Sequence, residues 1–156
     1  MEIIIVSLSG AKSNWSSQAF ESYCKRFDKS IQMSWKTLSP EKRTNKINNP
    51  QKIIQKEGVM LLNSTKNSGL NIALDRKGVQ WTTHQLHKRF IKWRESHKSV
   101  NFLIGGADGH GAALIDNVDE VWSLSALTFP HGIVPLLIVE QIYRVWSLTK
   151  NHPYHR

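Results

Sequence analysis

The feature that most constrains this chain is a repeated exchange between two hydrophobic periodicities. Short apolar runs alternate with longer stretches whose apolar residues recur every third or fourth position. Ile3 to Leu8 is a β-branched run closed by Ser9-Gly10 and reads as a buried strand. Asn14 is the expected cap of a helix carrying Trp15, Ala19, Tyr23 and Phe27 on its apolar face. Ile31 to Leu38 alternates apolar and polar residues as a half-buried strand does. After a basic, polar stretch from Ser39 to Asn49, the pair Asn49-Pro50 predicts a helix start running through about Leu62. Gly69 to Leu74 is a further strand, with a turn predicted at Asp75-Arg76-Lys77-Gly78. Thr82 and Gln85 have capping-box spacing and head a helix with Leu86, Phe90, Ile91 and Trp93. Val100 to Ile104, a short helix near Ala112 to Asp116 and a strand near Glu120 to Leu124 precede a last, strongly apolar helix pattern. Strands alternating with helices predict an α/β fold, a mostly parallel sheet with helices on both faces. No repeat or linker interrupts the series, so residues 1–156 are expected to form one domain.

Charge narrows the partners. Lys and Arg number 21 against 12 Asp and Glu, a net charge of +9, which points to a polyanion and to nucleic acid first. Lys36, Lys42, Arg43 and Lys46 form one basic cluster, and Lys88, Arg89, Lys92, Arg94 and Lys98 another. Either set can bind phosphate or simply be solvated. No run approaches the ~20 apolar residues that cross a bilayer. The opening MEIIIVSLSG lacks the basic flank of a signal peptide. The single cysteine, Cys24, suits a reducing compartment and lies beside an apolar helix face, as a core thiol does. A cytoplasmic location with no membrane partner is therefore expected.

Several motifs bear on chemistry. Gly105, Gly106, Gly109 and Gly111 follow a strand directly, where glycine lets backbone turn sharply and approach a ligand. The loop matches neither the phosphate-loop pattern nor G-x-G-x-x-G. On its own it is compatible with a cofactor loop or a plain strand-to-helix turn. The pairs His84/His87 and His152/His155 lack an evident third ligand, so no metal site is expected. Ser123 and Ser125 alternate within an apolar strand, as a pleat does, and no nucleophile elbow is present. The six tryptophans read mostly as core, with one available to stack on a base.

The last third is where residues stop being generic. LSALTFPHG, then EQIYRVWSL and the closing NHPYHR, together with Leu74-Asp75 and the IGGADG of Ile104 to Gly109, resemble the RlmH-type methyltransferases of the SPOUT superfamily. The resemblance runs through essentially the whole chain. It implies an α/β fold with a deep C-terminal trefoil knot, a homodimer, and S-adenosylmethionine bound in the knot. The implied substrate is large-subunit (23S) ribosomal RNA in assembled ribosomes, with methylation at N3 of a pseudouridine. The alternative reading is a non-catalytic basic RNA-binding module of the same fold.

By resemblance, Leu74, Gly105 and the segment Leu124, Ser125, Ala126, Leu127, Thr128 and Phe129 line the cofactor pocket. They fall where periodicity ends strands, and ligands of open α/β sheets bind at carboxyl ends of strands. The implied catalytic set is His131, Arg144, Tyr154, His155 and Arg156. His131, Tyr154 and His155 are candidates to remove the N3 proton. Arg144 and Arg156 are candidates to hold phosphate or developing charge. Tyr154 is alternatively a stacking platform for the base. One position departs from the family, which usually has arginine four residues after the histidine of the Pro-His motif. Here that residue is Pro135, which predicts a helix start near Val134-Pro135 and an extended turn at His131-Gly132-Ile133.

Overall fold

The structure is a computed structural model that describes residues 1–10, 13–43, 49–65, 69–97 and 99–155, without the side chain of His155. The roles expected of Lys46, Lys98, Arg156 and the His155 side chain lie outside the described residues. Five strands, β1 (Glu2–Leu8), β2 (Gln32–Leu38), β3 (Leu70–Gln80), β4 (Ser99–Ile104) and β5 (Glu120–Ser123), form one sheet in the order β2-β1-β4-β3-β5. Every neighbouring pair is parallel. Five helices connect or follow the strands: α1 (Asn14–Cys24), α2 (Pro50–Asn63), α3 (Thr83–Ser96), α4 (Ala112–Ile115) and α5 (Val134–Thr149). A 3-10 turn at Pro153–His155 closes the chain.

Alternation along the strands builds two apolar layers. Ile3 and Ile5, Ile72, and Phe102 face a core made with Phe20 of α1, Leu86, Phe90 and Trp93 of α3, and Ile138, Val139 and Ile142 of α5. Ile4, Val6 and Leu8, Ala73, and Leu103 face Leu61 of α2 and Leu114 of α4. Covering both faces is what lets β1 and β4 be apolar and buried almost throughout. Gly58 permits the close approach of α2 to α4, since a Cβ there would lie 3.3 Å from the Leu114 Cβ.

Local signals act as read at two helix starts. The Asn49 side chain accepts from the backbone of Gln51 at 3.1 Å and of Lys52 at 3.4 Å, with Pro50 opening α2. Thr82 and Gln85 complete their reciprocal capping box. Other expectations are corrected. The residue preceding α1 is Ser13, not Asn14, and its hydroxyl meets that of Ser16 at 2.8 Å. Trp15 is 57% exposed, while Ser16 and Phe20 are buried and Tyr23, Cys24 and Phe27 pack beside them. A strict four-residue step drifts about 40° per step around a helix of about 3.6 residues per turn, so the Trp15 series cannot stay on one face. Ile91 is likewise 38% exposed.

The predicted turn at Asp75–Gly78 is a bulge within one strand. Leu74 and Val79 both register with Trp122, so the four residues between them are extruded and β3 resumes. The segment before α5 is turned, not extended. Ile133 has φ −92° and ψ −35°, and its N–H donates to the Pro130 carbonyl at 2.9 Å. Pro135 is buried in the first turn of α5, where its missing N–H leaves no bond unmade.

Candidate functional site

At the bulge of β3 and the carboxyl ends of β4 and β5 the chain leaves a cleft of about 570 Å³, within the roughly 300–1,000 Å³ typical of small-molecule sites. Leu74 and the bulge form one lip, Ile104 through His110 another, and Leu124, Ser125, Leu127, Thr128 and Phe129 the third wall. His131 and Val134 close it at the start of α5. Ala126 is not on the wall, and Leu127 is 71% exposed at its rim. Apolar side chains, glycine backbone and polar groups share the lining, a mixture that fits a polar heteroaromatic ligand held by shape and hydrogen bonds.

The glycine loop is shaped from both sides. Gly109 takes φ +77° and donates to the Gly106 carbonyl at 3.1 Å, making a tight turn. The His110 ring packs on Gly105, where a Cβ would lie 2.8 Å from Cε1. His110 Nε2 bonds to the Leu74 carbonyl at 2.9 Å, tying the loop after β4 to the start of the β3 bulge. Burial lowers the pKa of His110, opposed in part by that bond and by Asp75. The ring is therefore neutral near pH 7, with Nε2–H donating to Leu74.

Behind the loop sits Glu57 of α2, a carboxylate only 3% exposed. Its Oε1 accepts from the Glu41 backbone at 3.1 Å, while Oε2 abuts Gly106 and has no hydrogen-bond partner among the described residues. Arg43 pairs with Asp108 at 2.7 Å. The segment after β2 is therefore pinned to α2 through Glu41 and to the glycine loop through Arg43. Nothing in the periodicity marked Glu57, which occupies a helix position that reads as an ordinary solvated charge.

On the opposite side, Trp122 lines the cleft and stacks on Trp81 at 4.8 Å between ring centroids and 11° between planes. The Arg89 guanidinium covers Trp81 at 4.3 Å and pairs with Glu120. This stack stiffens the wall. Ser123 and Ser125 fold the next segment: Ser123 Oγ donates to the Ser125 carbonyl, and Ser125 Oγ accepts from the Leu127 N–H, both at 3.0 Å.

The expected catalytic residues separate into two groups. His131 is on the cleft. Arg144 and Tyr154 are not, and they meet each other around Glu140. Arg144 donates Nε and Nη2 to Glu140 Oε1 at 3.1 and 2.6 Å, and Tyr154 donates its hydroxyl to the same oxygen at 3.2 Å. The guanidinium lies 5.3 Å from the Tyr154 ring centroid. Burial, then the Tyr23 hydroxyl and Glu140, push the Tyr154 phenol far above its ordinary value. A phenol so held is a donor near neutral pH, not a base. Sequence reading missed Glu140, although its spacing of four residues from Arg144 is the signal of a helical ion pair.

Among the described residues no helix is long and apolar enough to cross a membrane. Comparison with known proteins adds the family. The model of "Predicted SPOUT methyltransferase" matches residues 1–155. Proteins named ribosomal RNA large subunit methyltransferase H are similar over the full length. Those of Cupriavidus metallidurans and Cupriavidus taiwanensis are each 37% identical over 159 residues, covering 100% of this chain and 99% of theirs. That of Burkholderia mallei is 34% identical over 156 residues with the same coverage. With its cleft at the strand ends and this match from end to end, the chain belongs to the SPOUT methyltransferase family.

Proposed function

We propose that this protein is an S-adenosylmethionine-dependent methyltransferase of large-subunit ribosomal RNA, acting at N3 of a pseudouridine. The observation that carries the reading is the cleft itself: a site of mixed polar and apolar lining, walled in part by glycine backbone, at the β3 bulge and the ends of β4 and β5, with cations on its lip. Full-length similarity to proteins named for ribosomal RNA methylation supports the substrate class. Leu74, Gly105 and the 124–129 wall hold the donor, and S-adenosylmethionine when bound supplies an already activated methyl group.

The remaining work falls to this chain's residues. They align the acceptor nitrogen, exclude water and give the N3 proton a path out, and good alignment supplies on the order of 7–11 kcal/mol. His131, on the cleft wall, is the base we assign. Tyr154, held protonated beside Glu140, stacks on the uracil ring. Arg144 stabilises charge developing on the base.

Arg144 lies ten residues beyond Val134, roughly 15 Å along α5 at about 1.5 Å per residue. It and Tyr154 therefore do not reach the cleft of their own protomer. A homodimer with α5 helices packed against each other brings one protomer's Arg144 and Tyr154 toward its partner's cleft. Half-buried Leu136, Leu137 and Leu148 on α5 supply apolar contact for that packing. We further propose that residues 1–156 form one catalytic domain with the C-terminal segment threaded as a trefoil knot, working in the cytoplasm on assembled ribosomes. The test is transfer of a labelled methyl group to large subunits lacking the modification, with donor binding measured separately by calorimetry. Donor binding without transfer would favour the non-catalytic RNA-binding module.

A further inference from the structure

We propose that the bulge in β3 is a phosphate clamp for the RNA acceptor, with Arg76 and Lys77 gripping the backbone beside the target base. The proposal rests on the ribosomal RNA methyltransferase reading above and adds the residues that dock the substrate.

The bulge is built, not loose. Leu74 and Val79 share Trp122 as sheet partner, which forces residues 75–78 out of the strand. Gly78 presses on β5 so closely that a Cβ would lie 2.7 Å from the Val121 carbonyl oxygen. Asp75 Oδ1 accepts from the Lys77 N–H at 2.8 Å, closing the excursion from the other end. Arg76 and Lys77 are thereby held side by side on the cleft lip, and both are exposed.

Their charge is unspent. Arg43, Lys56, Arg89, Arg144 and Lys150 each sit in an ion pair. Among the described residues neither Arg76 nor Lys77 has an acidic partner. On the facing lip Asp108 is already neutralised by Arg43. The β3 lip therefore carries two cations against the single carboxylate of Asp75, a net positive edge to the cleft. A methyl donor with one carboxylate does not need two free cations, whereas a phosphodiester run offers successive charges. Arginine forks a phosphate with paired N–H groups and lysine adds a point charge. Such contacts fix a strand's register without reading its sequence, which is what delivering one base to a cleft requires.

The test uses the full-length protein with a single-stranded RNA oligonucleotide, large subunits lacking the modification, and the methyl donor alone. The double variant R76Q/K77Q changes exposed side chains only, and Lys52→Gln on α2 is the control. The double variant is expected to bind RNA at least tenfold more weakly at low salt. Its slope of log affinity against log salt should fall by roughly 1.4–1.8, at about 0.7–0.9 per lost phosphate contact. KM for subunits should rise while kcat and donor affinity stay near wild type, and Lys52→Gln should change none of these. An unchanged slope and KM overturns the clamp. Weakened donor binding with an unchanged RNA slope also overturns it and assigns the cations to the donor's carboxylate. A wild-type protein that binds RNA but transfers no methyl group counts against the enzymatic reading alone, and the slope still decides the clamp.

Discussion

The hydroxyls of Tyr23 and Tyr154 lie 3.1 Å apart, joining the first helix to the 3-10 turn that follows the last one. Because Tyr154 donates its only hydroxyl proton to Glu140, Tyr23 is the donor in this pair. The relay sets the position of Tyr154 from the far end of the sequence. Tyr154→Phe should lower turnover at least tenfold with donor affinity unchanged. Tyr23→Phe should lower it less, because Tyr154 keeps its bond to Glu140. Steady-state kinetics beside calorimetry separate the two. Loss of donor binding in Tyr154→Phe would place this residue in the donor site instead.

Gly105 has no room for a side chain. Its added Cβ would sit 2.8 Å from His110 Cε1 and 3.2 Å from the Gly109 carbonyl oxygen. Gly105→Ala should therefore push His110 off Leu74, weakening donor binding by an order of magnitude or more. Overpacking of this kind costs about 1–3 kcal/mol of stability. Calorimetry and denaturant unfolding give both numbers, and wild-type donor affinity would contradict the role of the loop.

His110 also sets a pH dependence. Burial lowers its folded-state pKa, so as pH falls the unfolded chain takes up the proton first. The stability that neutral His110 contributes is fully present above pH about 6.5 and is lost as pH falls from there toward the folded-state value. Urea unfolding across that window should show wild type losing stability more steeply than His110→Gln. Parallel slopes would remove His110 as the cause.

Cys24 should be unreactive in the folded protein. Burial, assisted by the charge of Glu21, pushes its thiol up to about 11, so little thiolate exists at pH 8. Alkylation should be slow in buffer and fast in denaturant. Fast stoichiometric modification of the native protein would contradict this placement.

Legibility in the sequence followed the range of the interaction. Asn49-Pro50 and Thr82 with Gln85 are local devices, and both helices begin where those residues predict. Near-continuous apolar runs such as Ile3 to Leu8 and Val100 to Ile104, set between helix patterns, were enough to read a sheet covered on both faces. Trp15 misled because hydrophobicity alone does not say which of two overlapping helical faces is buried. The Asp75–Gly78 bulge was invisible because it exists only against Trp122, on a strand more than forty residues away. Glu57 escaped for the same reason, since its donor comes from a distant segment, whereas Glu140 carried a local signal in its four-residue spacing from Arg144. Leu74, Gly105 and the 124–129 segment were picked out by family motifs, and periodicity alone left the glycine loop undecided.

The central claim is methyl transfer to ribosomal RNA at the cleft on β3, β4 and β5. Large subunits lacking the modification, incubated with this protein and labelled S-adenosylmethionine, should take up one methyl group per subunit, mapping to N3 of a single pseudouridine. Gly105→Ala should abolish most of that uptake. Saturated donor binding with no label in the RNA, or label at another class of nucleotide, would contradict the account.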